Sequence, residues 1–182
     1  MSSYNLSIVL PCYNEEKNLP SIFSSVDNII SNETSIEILL VDNGSSDNSN
    51  ALINEYCVGK HGVKLVTVHE NKGYGFGIMQ GVLQANGDVI SWTHADLQTD
   101  LQDVLDAYSK YSTELLAQKS VLKGRRIGRN LFDAFFTFGM SVVSSVMMNT
   151  YLSDVNAQPK MFHRSFLNHL KTYPHDFSLD LY

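Results

Sequence analysis

Cysteine, proline and positive charge are all scarce in this chain. Its 182 residues include two cysteines, four prolines and one tryptophan. The cysteines, Cys12 and Cys57, make no disulfide framework and show no metal-ligand spacing, so the sequence suits a reduced, cytoplasmic compartment. Four prolines and 11 glycines exclude collagen-like and low-complexity arrays. Thirteen Lys+Arg stand against 19 Asp+Glu, a formal charge of −6. That is a poor footprint for nonspecific nucleic-acid binding, and no nucleic-acid partner is expected. No basic segment precedes the first apolar run in MSSYNLSIVLPCYNEE, so the N-terminus does not read as a signal peptide. No stretch of 18 residues is strongly apolar throughout. What is present is an ordinary folded composition, 43% hydrophobic and 18% charged, at a length that suits one domain.

Apolar runs and helical patterns alternate through the first two-thirds of the chain. Leu6 to Leu10 reads as a buried strand ending at Pro11. Leu19, Ile22, Phe23, Val26, Ile29 and Ile30 then follow helical spacing. Ile36 to Val41 predicts a second strand, closed by the turn-rich Asp42 to Asp47, and Leu52, Ile53, Tyr56 and Cys57 mark a second helix. A third strand over Val63 to Val68 precedes a helix over Tyr74 to Ala85, with Asn86-Gly87 as its stop. Asp88 to Thr93 predicts a fourth strand, Leu101 to Tyr111 a helix, and Lys119 to Lys123 a fifth strand. Strands separated by helices of this length imply crossover connections and an α/β, doubly wound, mainly parallel sheet with helices on both faces.

Ligands of open α/β sheets bind beyond the carboxyl ends of the strands, and three polar clusters fall at those ends. They are Pro11 to Glu16, Asp42 to Asp47, and His94 to Gln98, expected to converge on one rim. Helix capping suits Asn14, Ser49 and Thr99 but not Asp42 or Asp96, each at the mouth of an apolar strand. Gly73, Gly75 and Gly77 follow the third strand in an order that matches neither G-x-G-x-x-G nor a P-loop, which excludes a dinucleotide-dependent dehydrogenase. They read either as a tight strand-to-helix turn with close packing or as a cradle for phosphate at a helix N-terminus. Asp96 is placed to hold a hard divalent cation that would neutralise a diphosphate. His94, two residues away, reads as a second ligand better suited to Mn2+ than to Mg2+, or as a surface hydrogen-bond partner of Asp96.

Four motifs in this order carry a resemblance: Val9 to Glu16, Leu40 to Asp47, Asn71 to Gly75, and Ala95-Asp96-Leu97-Gln98. Residues 6–98 resemble the nucleotide-sugar-binding half of the family 2 glycosyltransferases of the GT-A fold, in the branch that contains the polyprenyl- and dolichyl-phosphate sugar transferases. The resemblance implies a single GT-A-type domain over 1–182, with a nucleotide-sugar-binding half over about 1–112 and an acceptor-side half over about 113–182. It implies that Pro11, Tyr13, Glu15 and Asp42 hold the base and ribose. The rest of the expected nucleotide-sugar site is Lys72, Gly73, Ala95, Asp96 and Gln98. Asp42 suits uracil and guanine alike, so UDP and GDP donors both stay open. The family's D-x-D metal motif falls on His94-Ala95-Asp96, with histidine in place of the first acid. Either His94 ligates Mn2+ or Mg2+ as a neutral donor, or Asp96 holds the divalent metal alone with the diphosphate, or the site has lost its metal.

The resemblance further implies inverting transfer to an acceptor, a polyprenyl phosphate or a saccharide of a cell-surface glycan precursor. Arg125 and Arg129, after the fifth strand, are the candidates for an acceptor phosphate. Asp154 to Arg164 sits at the family's acceptor segment with Gln158 and Lys160 in place of the usual residues. A phosphate acceptor needs no base, whereas a hydroxyl would need one, for which Asp154 is the candidate. The catalytic set is therefore Asp96, Asp154 and Arg125. Phe132, Phe135, Phe136, Gly139, Val142, Val143, Val146, Met147 and Tyr151 form a one-sided stripe in the 131–152 segment. It reads as a core-facing helix or as a peripheral contact with the cytoplasmic membrane face. Members of the family usually continue past the point where this chain stops, so a truncated C-terminus is expected. A catalytically impaired nucleotide-sugar-binding module is the alternative reading. A sugar-phosphate nucleotidyltransferase is disfavoured, because PCYNEE stands where that family carries a glycine- and arginine-rich loop.

Overall fold

A computed structural model of the chain describes residues 4–95, 100–118, 120–124 and 157–180. Asp96, Gln98, Thr99, Arg125, Arg129, Asp154 and the 131–152 stripe lie outside the described residues. In chain order the elements are β1 Tyr4–Cys12, α1 Leu19–Ile30, β2 Ile36–Asn43, α2 Ser49–Cys57, β3 Val63–Val68, α3 Tyr74–Gln84, β4 Gly87–Trp92, α4 Leu101–Leu116, β5 Val121–Lys123 and β6 Lys160–His163. Two short 3-10 helices follow, Arg164–His169 and Phe177–Asp180.

The strands form one sheet in the order β3-β2-β1-β4-β6-β5. The first four run parallel, with Leu6 opposite Ile36 and Val89, and Leu40 opposite Leu65. β6 is antiparallel to both β4 and β5, so it is the one reversed strand among those described. This agrees with the mainly parallel α/β expectation. The sequence reading differs at the end of β1, which runs on through Pro11 to Cys12, and in two further places. β6, read as part of an acceptor segment, is inserted in the sheet between β4 and β5. α4 runs on to Leu116 rather than stopping near Tyr111, because Leu115 supplies one more fully buried contact.

Strand alternation divides the core into two layers. Leu6, Ile8, Leu10 and Cys12 of β1 join Ile22 and Val26 of α1, Ile53 of α2 and Val104 of α4 on one face. Val9, Leu39 and Val41 join Ile78, Met79 and Val82 of α3 on the other, with Leu179 of the last 3-10 helix. Helix α1 buries Leu19, Ile22, Val26 and Ile29 at helical spacing and begins with Pro20 in its first turn, where no N–H is needed.

Among the buried polar residues of the sheet, Ser7 and Glu37 form a pair across β1 and β2. Glu37 is 2% exposed and lies opposite Ser7, whose hydroxyl donates to its Oε1 at 2.7 Å. The Asn86 backbone N–H also donates to Oε1, and the Lys64 ammonium stands 3.3 Å from Oε2. Burial pushes the Glu37 carboxyl up, but these hydrogen bonds and the Lys64 charge outweigh it and hold it below the ordinary glutamate value. Ser7 accepts in turn from the Gly87 N–H at 2.7 Å. The cluster pins the start of β4 to β1 and β2, at the end of the sheet away from the polar loops.

Candidate functional site

The loops at the carboxyl ends of β1 and β2 are stitched together by side chains that a helix-capping pattern would assign elsewhere. Asn14 adopts a left-handed backbone with φ +56°. Its Oδ1 accepts from the Ser46 N–H at 2.8 Å and the Ser46 hydroxyl at 3.2 Å, and its own N–H donates to the Ser45 hydroxyl at 3.0 Å. The Ser49 hydroxyl accepts from the Glu15 N–H at 3.0 Å, and Asp47 accepts from the Glu16 N–H at 3.2 Å. Asn14 and Ser49 are thus cross-loop ties rather than caps. The start of α4 is capped by Asp100, whose side chain accepts from the Gln102 N–H at 2.9 Å.

Fixing these loops opens a cleft of about 360 Å³ at the carboxyl ends of the parallel strands. Pro11, Cys12, Tyr13 and Glu15 line it from β1 and the loop behind it, and Asn43 from the end of β2. Asn71, Gly73 and Tyr74 contribute from the turn into α3, with His94 after β4 and Phe177 from the last 3-10 helix. The sequence clusters after β1, β2 and β4 therefore do meet, and the loop after β3 joins them. Tyr13 is 48% exposed. The Glu15 Oε2 accepts from the Asn18 amide at 2.6 Å.

Asp42 lies beneath the rim rather than on the cleft surface. It is 2% exposed, with Oδ1 accepting from the Ser45 N–H at 3.1 Å and Oδ2 from the Asn50 amide at 2.8 Å. Burial first, then the nearby Glu15 and Asp42 carboxylates, pushes the Cys12 thiol far up. Cys12 therefore stays protonated, which removes it as a nucleophile. Lys72 is exposed, its ammonium 5.6 Å from the Phe76 ring centroid, and it is not among the described lining residues. Ala95 is buried and lines a smaller cavity of about 230 Å³ between α1 and α4, which His94 also reaches.

The glycines at the start of α3 serve packing. Gly73 has φ +113°, and a side chain there would strike the His175 carbonyl oxygen. A Cβ on Gly75 would come within 2.5 Å of the Pro174 oxygen and 2.7 Å of the Asp176 oxygen. The His175 oxygen accepts from the Phe76 N–H at 3.0 Å, so the 174–176 backbone occupies one donor of the helix N-terminus. Gly73 also borders the cleft.

Sequence reasoning left Gln158 and Lys160 without a role and did not single out Tyr74, Phe177 or Asp180. Lys160 is 5% exposed and donates to the Asp180 Oδ1 at 2.5 Å and the Asp180 carbonyl at 2.8 Å. Burial pulls its ammonium below the ordinary lysine value, and the Asp180 hydrogen bond and charge oppose that pull. The Gln158 amide donates to the Tyr74 hydroxyl at 3.1 Å and stands 3.4 Å from the Asp180 Oδ1. Tyr74 stacks on Phe177 with centroids 4.7 Å apart and lies 5.7 Å from the His94 ring. An aromatic between two glycines at a helix start was a readable signal for Tyr74, whereas Phe177 carried none.

Among the described residues no group of three or more His, Cys, Asp or Glu side chains could hold a metal ion. The described part of the expected ligand pair is the His94 imidazole, half-buried and open to the cleft. No helix of the described residues is long and apolar enough to cross a membrane.

Known proteins agree with this geometry. A family model described as Glycosyl transferase family 2 matches residues 7–134. A dolichyl-phosphate beta-glucosyltransferase of Mus musculus is 33% identical over 107 residues, covering 54% of this chain and 33% of the relative. An undecaprenyl-phosphate 4-deoxy-4-formamido-L-arabinose transferase of Proteus mirabilis is 35% identical over 101 residues, with 54% and 31% covered. The chain thus spans about a third of the length of the curated relatives it matches. Among solved structures, a mannosyltransferase from Pyrobaculum calidifontis in complex with GDP-Man and Mn2+ superposes with a TM-score of 0.69 at 17% identity, covering 98% of this chain and 50% of that one. That likeness establishes the GT-A fold.

Proposed function

The chain belongs to glycosyl transferase family 2, and on that premise we propose that it binds a UDP- or GDP-sugar in the cleft beyond β1, β2 and β4 and transfers the sugar to a polyprenyl phosphate or a saccharide. The observation that carries the reading is the meeting of Pro11, Tyr13, Glu15, Asn43 and His94 around one cleft above the buried Asp42. Their positions along the chain are those of the motifs that resemble the family's donor site. The names of the relatives, which are dolichyl- and undecaprenyl-phosphate transferases, favour a lipid-phosphate acceptor.

On this reading Tyr13 and Glu15 face the base and ribose from a loop held by Asn14 and Ser49. Asp42 keeps a lone pair on each oxygen after its bonds to Ser45 and Asn50, and it fixes the Ser45 amide at the rim. His94 offers an imidazole nitrogen to the cleft, a donor type that suits Mn2+, and Asp96 is its proposed carboxylate partner. A divalent ion bound there supplies Lewis-acid stabilisation of the departing diphosphate. Arg125 and Arg129 are assigned to the acceptor phosphate, which attacks the anomeric carbon as an anion and needs no base. A hydroxyl acceptor would rely on Asp154.

Calorimetric titration with UDP and GDP, with and without Mn2+, on the wild type and on Asp96→Ala tests the assignment. Metal-dependent binding of one nucleotide, lost in Asp96→Ala, is the expected result. No binding of either nucleotide by folded protein overturns it. Histidine in place of the first acid favours a second reading, a nucleotide-sugar-binding module without turnover. Under that reading transfer is absent in the wild type and is not restored by His94→Asp.

A further inference from the structure

Tyr74 and Phe177 lie more than a hundred positions apart in the chain, yet their rings stack nearly parallel, 16° between planes and 4.7 Å between centroids, and both line the donor cleft. Phe177 is 69% exposed, an unusual fate for a phenylalanine that is held in a defined stack. The pair is also held from behind. Gln158 donates to the Tyr74 hydroxyl, the Asp180 carboxylate stands beside Gln158, and the buried Lys160 ammonium anchors Asp180 at 2.5 Å. The 3-10 helix that carries Phe177 ends at that same Asp180.

A fixed aromatic wall beside polar groups such as Glu15, Asn43 and His94 suits a ligand with one apolar face. A pyranose ring has such a face, where axial C–H bonds pack against a π system while the hydroxyls point outward to polar partners. Tyr74 abuts His94, which on the proposed function faces the diphosphate, and the sugar is the group that follows the diphosphate in a donor. We infer that Tyr74 and Phe177 form a stacking wall for the transferred sugar and that Phe177 is a specificity-determining residue. The inference rests on the proposed donor site.

The test compares bare nucleotides with nucleotide sugars. UDP, GDP, UDP-glucose, UDP-GlcNAc and GDP-mannose are titrated in Mn2+ into the wild type, Phe177→Ala and Phe177→Tyr. Phe177→Ala should lose about three- to tenfold in affinity for the accepted nucleotide sugar and less than about twofold for the matching bare nucleotide. Phe177→Tyr should bind both as the wild type does. In Phe177→Trp, the new indole emission should respond to the nucleotide sugar and not to the bare nucleotide. Unchanged affinity for the nucleotide sugar in Phe177→Ala overturns the inference and leaves the donor site standing. An equal loss for sugar and bare nucleotide also overturns it, because the wall would then serve the base. A wild type that binds no nucleotide at all removes the donor site, and the stacking wall with it.

Discussion

The side-chain oxygen of Asn14 accepts two hydrogen bonds from Ser46, 32 residues away, at 2.8 Å from the amide and 3.2 Å from the hydroxyl. Asn14 does this from a left-handed backbone, a conformation asparagine tolerates better than most residues. Asn14 thus helps to set the spacing between the loop that carries Tyr13 and the loop that follows Asp42, together with the Ser49 and Asp47 ties. Asn14→Ala loses the tie and keeps the unfavourable φ, so a stability loss of about 1–3 kcal/mol is expected by urea unfolding. Asn14→Gly relieves the backbone and should recover part of that stability, without recovering the nucleotide affinity lost in a calorimetric titration. Equal affinity in both variants and the wild type would show that the loops hold their places without Asn14.

Glu37 gives the protein a defined sensitivity to acid. Its folded-state pKa lies below the unfolded value of about 4.3, so its contribution is complete above that pH and is lost as the pH falls through the folded value. Replacing it in Glu37→Gln leaves Ser7, Asn86 and Lys64 facing a neutral amide. A cost of about 1–3 kcal/mol at pH 7 is expected, together with a flatter decline in stability below pH 4 to 5 than in the wild type. Denaturant midpoints measured from pH 3 to pH 7 decide the matter, and parallel curves for the two proteins would remove Glu37 from the acid response.

The Lys160–Asp180 pair is buried on both sides, so breaking one half strands a charge. Lys160→Met should cost about 3–5 kcal/mol in guanidinium unfolding, whereas Lys160→Met combined with Asp180→Leu should recover most of it. If the double variant proves no more stable than the single one, the Asp180 carboxylate has a separate structural duty through Gln158.

Much of the fold could be read from the residues because the first four strands are long apolar runs flanked by amphipathic helices. β3 matches the expected Val63 to Val68, and α1 buries Leu19, Ile22, Val26 and Ile29 as its pattern predicts. β6 could not be read in this way. Lys160-Met161-Phe162-His163 is four residues without alternation, and it is a strand only because β4 and β5 flank it. The gathering of strand-end loops into a cleft followed from topology. The division of labour within those loops did not, since Asn14, Ser45, Ser46 and Ser49 have the residue types of caps and act across 31 to 34 positions. Phe177 escaped for the same reason, since its partner Tyr74 is set by tertiary packing that no local pattern encodes.

The placement of β6 has a bearing on how the chain is assembled on the ribosome. The four parallel strands come from the first 92 residues and neighbour one another without help from anything downstream. β5 emerges next, and its one neighbour among the described strands is β6, which begins at Lys160. Until that later segment has been synthesised, the other described strands offer no partner to the free border of β4 and none to β5. Among the described strands, that edge of the sheet is therefore complete only once β6 is available to pair with both β4 and β5.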